Sequence, residues 1–135
     1  MDRFALAVVG AHMDGMPLNR DLVAMGAIFL RRTTTTLDYR FYALAGGPPR
    51  RPGLLRVADG EGAAIEVEVW SLDAAGFGRF VADIPPPLGI GTLRLADGST
   101  PKGFLVEARG IVGADDITSY GGWRRYMAAL AVVAT

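Results

Sequence analysis

Near the middle of the chain lies Gly46-Gly47-Pro48-Pro49-Arg50-Arg51-Pro52-Gly53. Three prolines and three glycines in eight residues are incompatible with regular structure. This stretch splits a 135-residue chain into two parts, neither long enough for its own core. It therefore reads as an exposed loop inside one domain spanning residues 1–135. Half the residues are hydrophobic, which suits a packed core rather than disorder.

Short apolar runs lie on either side of the loop. Phe4 to Val9 reads as a buried strand that stops at Gly10. Asn19 is placed to cap a short helix, Arg20 to Met25, that Gly26 ends. Ala27–Arg32, Asp38–Leu44 and Leu54–Val57 read as strands. Ala64–Leu72 is the clearest strand, with Ile65, Val67 and Val69 on one face and Glu66, Glu68 and Trp70 on the other. Asp73 caps a helix running to about Asp83, stopped by Pro85-Pro86-Pro87. Gly91–Leu95 and Lys102–Ala108 read as a hairpin around Asp97-Gly98. A last helix follows Gly122. About seven strands and three helices imply an α+β fold: a small mixed β-barrel flanked by helices.

Composition removes many chemistries. The chain has no Cys, one His (His12) and one Lys (Lys102). Disulfides, Cys-bound zinc, thiol nucleophiles and a two-His metal site are excluded. We expect no metal and no cofactor. Gly89-Ile90-Gly91 lacks the third glycine of a dinucleotide fingerprint, and there is no Gly-x-Ser-x-Gly elbow. Fourteen basic residues balance fourteen acidic ones, so a nucleic-acid partner is not expected. No signal peptide or membrane-length apolar run is visible. We therefore expect a cytoplasmic protein with no membrane partner.

Few side chains remain for function. His12, in a Gly-bounded loop after a buried strand, is either a general acid/base or a plain hydrogen-bonded loop residue. Glu66 and Glu68, about 7 Å apart on one strand face, suit acid/base work or a solvated face, the second being the commoner meaning. Trp70 on that face favours some burial. Arg40 reads as a snorkelling side chain beside packed Tyr39 and Tyr42. At Lys102-Gly103-Phe104, Gly103 either admits a ligand to the backbone or starts a twisted strand. Tyr120-Gly121-Gly122-Trp123 is either an anion-friendly helix start or only a flexible turn.

Five segments in order resemble the C-terminal domain of allophanate hydrolase. They are Val8 to Asn19, Ile65 to Trp70, Pro87 to Leu93, Lys102-Gly103-Phe104 and Tyr120-Gly121-Gly122-Trp123. The resemblance implies a gamma-glutamylcyclotransferase-like fold. In cyclotransferases the loop after the first strand binds a substrate carboxylate through backbone N–H groups; here it reads Gly10-Ala11-His12-Met13. Those enzymes also carry a general-base Glu after the middle helix. Pro85 to Gly91 has no acid, which argues against cyclotransferase chemistry.

In allophanate hydrolase this domain follows an amidase and is credited with releasing carbon dioxide from the N-carboxylated product. The matching His makes His12 the implied general acid/base. Gly10, Ala11, Met13, Gly15, Pro17, Leu18, Asn19, Glu68, Lys102, Gly103, Tyr120 and Gly122 are the implied substrate-binding residues, with an Arg not singled out. The expected partners are a small carboxylated urea or carbamate compound and a separate amidase, with room for a homodimer. The expectation is a stand-alone relative, cut from a longer chain or encoded beside an amidase. Its alternatives are a non-catalytic assembly partner of that amidase or a binder of small dicarboxylates.

Overall fold

A computed structural model describes residues 2–47 and 50–134. Pro48 and Pro49 of the expected loop lie outside the described residues. The elements are β1 (Arg3–Val8), α1 (Asn19–Ala24), β2 (Ile28–Thr34), β3 (Tyr39–Ala43), β4 (Pro52–Arg56), β5 (Glu66–Asp73), α2 (Ala74–Ala82), β6 (Leu88–Thr92), β7 (Lys102–Val106), β8 (Asp115–Asp116) and α3 (Trp123–Ala134). Short 3-10 turns at Ala108–Ile111 and Thr118–Tyr120 lead into and out of β8.

Five strands form one sheet in the order β2-β5-β1-β7-β6. β1 runs antiparallel to β5 and parallel to β7. Because strand side chains alternate, consecutive residues of β1 enter two different cores. Leu6 and Val8 join Leu22, Trp70, Leu72, Phe80 and Phe104 beneath α1 and α2. Ala7 and Val9 join Tyr39, Phe41, Leu54, Val67, Val69 and Trp123. That second core lies against the sheet β4-β3-β8 and α3.

This double cover corrects the reading of β5. The face carrying Glu68 and Trp70 is not solvated: Glu68 is fully buried and Trp70 is 5% exposed. Residues distant in sequence supply the cover: Leu22 of α1 and Phe80 of α2 pack in one core with Trp70, and Asp14, Arg32 and Arg124 close over Glu68.

The α+β class stands, but the barrel does not, because the sheets stay open. The stretches after β2 and β6 meet in one isolated bridge, Thr35 to Leu95. Past Thr36 the chain turns away into β3, in the other sheet, so no ladder closes the first sheet.

Other boundaries move for local reasons. Pro52 and Gly53 belong to β4, although the Gly/Pro run was expected to be irregular. Proline is tolerated as the first residue of a strand. Gly53 suits the close packing there, since a Cβ would lie 2.7 Å from Leu44 Cδ2 and 3.1 Å from Val106 Cβ. β6 starts directly after the three prolines, earlier than expected, and the Asp97-Gly98 turn sits in a longer connection between β6 and β7. α2 begins as expected, with the Asp73 carboxylate accepting from Gly76 N–H at 2.7 Å. Tyr39 is fully buried, while Arg40 reaches outward to pair with Asp116. No helix among the described residues is long and apolar enough to cross a membrane.

Candidate functional site

β1 delivers the chain to Gly10 and a tightly bonded loop. Met13 N–H donates to Gly10 C=O at 3.0 Å, and Leu18 N–H donates to Ala11 C=O at 2.8 Å. Asn19 does not cap α1 as expected; it is the first helical residue, and Leu18 takes the capping position without a side-chain bond. The Asn19 side-chain amide instead donates to His12 C=O at 2.9 Å. Met13 is fully buried below, and Gly15 supplies a positive φ of 80° for the turn. These bonds leave the N–H groups of Ala11 and His12 donating to no described residue.

A cavity of about 310 Å³ opens beside this loop. Gly10, Ala11, His12 and Leu18 form one wall; Phe80, Asp83, Ile84 and Pro85 form another. Arg51, Pro52, Leu88, Phe104, Asp21 and Met25 also border it. The His12 ring lies edge-on to Phe80, with centroids 4.8 Å apart, and stacks on Phe104 at 5.8 Å. Burial among these rings pushes the His12 pKa below its ordinary value, while the charge of Asp21 pulls the other way. The imidazole is therefore mainly neutral near pH 7.

Glu68 lies under the loop and is absent from the cavity lining. Its Oε1 accepts from Asp14 N–H at 2.7 Å and from the Trp70 indole at 3.2 Å. Its Oε2 accepts from Arg32 at 2.7 Å and Arg124 at 2.5 Å. Burial alone would raise the Glu68 pKa, but the Asp14 N–H, Arg32, Arg124 and Trp70 outweigh it and hold it low. The carboxylate thus ties the His12 loop to β2 and α3.

The other expected residues do not converge on His12. Met13, Gly15, Pro17 and Asn19 shape the loop without lining the cavity. Lys102 Nζ donates to Thr92 Oγ1 across the β6–β7 pair. Gly103 is a packing residue: a Cβ there would lie 2.8 Å from Leu93 and 2.9 Å from Ala7 C=O. Gly122 borders a separate cavity of about 390 Å³ with Arg32, Thr33, Thr34, Glu66 and Arg125. Tyr120 packs on Tyr126.

Sequence reasoning missed Arg51, Phe80, Asp83 and Asp21. The i, i+3 spacing of Phe80 and Asp83 at the end of α2 was a usable signal. Nothing local marked Arg51, which reaches the site through the pairing of β4 with β3.

The chain matches the family model described as the allophanate hydrolase C-terminal domain over residues 4–128. It belongs to the allophanate hydrolase C-terminal domain family. It is 44% identical over 128 residues to the urea amidolyase of Saccharomyces cerevisiae, a match covering 93% of this chain and 7% of that protein. The chain thus spans a small fraction of this curated relative. The allophanate hydrolase of Kluyveromyces lactis superimposes with a TM-score of 0.91 and 41% identity, over 96% of this chain and 22% of that one. A uropathogenic E. coli-specific protein gives 0.86 and 38%, over 95% of this chain and 98% of that one. An AIG2-like protein of Mus musculus, 18% identical with a TM-score of 0.61 over 80% of this chain and 78% of that one, shares the fold alone. The same mixed α+β fold thus occurs both inside the longer urea amidolyase and allophanate hydrolase chains and as nearly the whole of the E. coli protein.

Proposed function

We propose that the His12 cavity releases carbon dioxide from a small N-carboxylated carbamate, the product an amidase leaves. One observation supports this reading most. The only His of the chain borders a mostly apolar cavity beside two backbone N–H groups that bond to no described residue, in the loop where the family resemblance is densest. In the proposed step the bond between nitrogen and the departing carboxylate breaks. Its electron pair stays on nitrogen, which takes a proton from the His12 imidazolium; the products are carbamate and carbon dioxide. The N–H groups of Ala11 and His12 hold a substrate carboxylate, and the apolar walls favour a neutral leaving molecule.

His12→Ala is expected to lower the rate of carbon dioxide release at least tenfold, about 1.4 kcal/mol of barrier. The substrate is generated in place by an amidase acting on allophanate, and release is followed against a blank without this protein. Since the donor is the protonated form, kcat/KM falls as pH rises through the lowered His12 pKa, below the ordinary value of about 6.5. The His12→Ala variant loses that limb. A variant as fast as the parent at every pH removes His12 from the reaction.

A second reading has one observation in its favour: the yeast relatives carry this domain inside much longer chains. In that reading the domain serves mainly to assemble with an amidase. Co-purification with the amidase, together with no acceleration of carbon dioxide release, would select it.

A further inference from the structure

We propose that Arg51 is the carboxylate anchor of the His12 cavity and makes it select dicarboxylates over monocarboxylates. This inference rests on the carboxylate-binding part of the proposed function. Asp21 and Asp83 also border the cavity, so an anion stays there only if a cation answers it. Arg51 is the only Arg or Lys among the lining residues. Its Nη1 is buried and has no hydrogen-bond partner among the described residues. A buried guanidinium N–H without an acceptor is costly, and turning the guanidinium toward a carboxylate in the cavity that Arg51 borders would satisfy it.

The neighbouring arginine sets the contrast. Each nitrogen of the Arg50 guanidinium is engaged, donating to Ala43 C=O at 2.6 Å, Leu44 C=O at 3.0 Å and the Asp115 carboxylate at 2.6 Å. Those bonds fasten the start of β4, and Pro52 then packs directly on Gly10. Arg51 is thereby held at the cavity between two fixed points. One substrate carboxylate sits on Arg51 and the other at the Ala11 and His12 N–H groups, which leaves the bridging atom for His12.

Malonate, with CH2 in place of NH, is a stable probe of that shape, and malonamate is its single-carboxylate counterpart. Calorimetric titration of the full chain is expected to show malonate at least tenfold tighter than malonamate. Arg51→Met is expected to weaken malonate at least tenfold and to close that gap. Arg51→Lys, which keeps a point charge but loses the fork, falls between them. Unchanged thermal unfolding of both variants separates binding from folding. Equal malonate binding by parent and Arg51→Met overturns the proposal, as does a parent chain that does not prefer malonate. The carbon dioxide assay distinguishes the two readings. A parent that binds malonate through Arg51 but does not accelerate release fails only the reaction. A parent that accelerates release, with Arg51→Met unchanged in KM, fails only the anchor.

Discussion

Glu68→Leu is expected to unfold roughly 8 °C below the parent chain at pH 7, a loss of about 2–3 kcal/mol. The side chain is fully buried and accepts hydrogen bonds from four residues. Leucine fills similar space but leaves the Asp14 N–H and the Trp70 indole without an acceptor, each costing about 1–3 kcal/mol if kept from water. Arg32 and Arg124 suffer less, because their side chains are 47% and 30% exposed and regain solvent. That exposure sets the figure below the 3–5 kcal/mol typical of a fully buried pair losing one member. Glu68→Gln keeps one acceptor and should lose about half as much.

Acid provides an independent check. The folded Glu68 carboxyl titrates below its ordinary range, so its stabilisation is complete above that range. As pH falls through the ordinary value and then the depressed one, the parent loses this stabilisation and the Leu variant has none to lose. The gap in Tm should therefore close on acidification. A gap that persists unchanged to pH 3, or no gap at pH 7, contradicts the role assigned to this carboxylate.

The legible parts of this fold are those whose cause is local. β1, β5 and α2 show in apolar periodicity, the Asp73 cap and the Pro85–Pro87 stop. What the pattern cannot show is which face a distant element will cover. Glu68 alternates with Val67 and Val69, so it reads as wet, yet Asp14 of the His12 loop, Arg32 of β2 and Arg124 of α3 close over it. Its partners Asp14 and Arg124 lie 54 and 56 residues away. The site divides in the same way. His12 stands out because the chain holds no other His and glycines bound its loop. Arg51 lies in a Gly/Pro run that looks like exposed loop until β3 pairs with it, Ala43 opposite Pro52. The glycines before α3 look anion-friendly, but Glu66 lies against Gly122 and their cavity is not that of His12.

Gly10→Ala is expected to lower carbon dioxide release about a hundredfold while leaving the chain folded. A Cβ at residue 10 would lie 2.3 Å from Pro52 Cγ and 3.0 Å from its Cδ. A proline ring cannot rotate away, and β3 holds Pro52 through its pairing with Ala43. The start of β4 must therefore retreat by about 1 Å, an overpacking cost of roughly 1–3 kcal/mol. Arg51 precedes Pro52 and moves with it, and His12 lies two residues beyond the substituted position. Misplacement of about 1 Å between binding and reacting groups costs on the order of a hundredfold in rate. A double variant provides the decisive measurement. Pro52→Ala removes Cγ and Cδ, so adding it to Gly10→Ala should restore most of the Tm and at least a tenfold part of the rate. If the double variant is no better than Gly10→Ala alone, the close approach of Pro52 to Gly10 is not what positions the cavity wall.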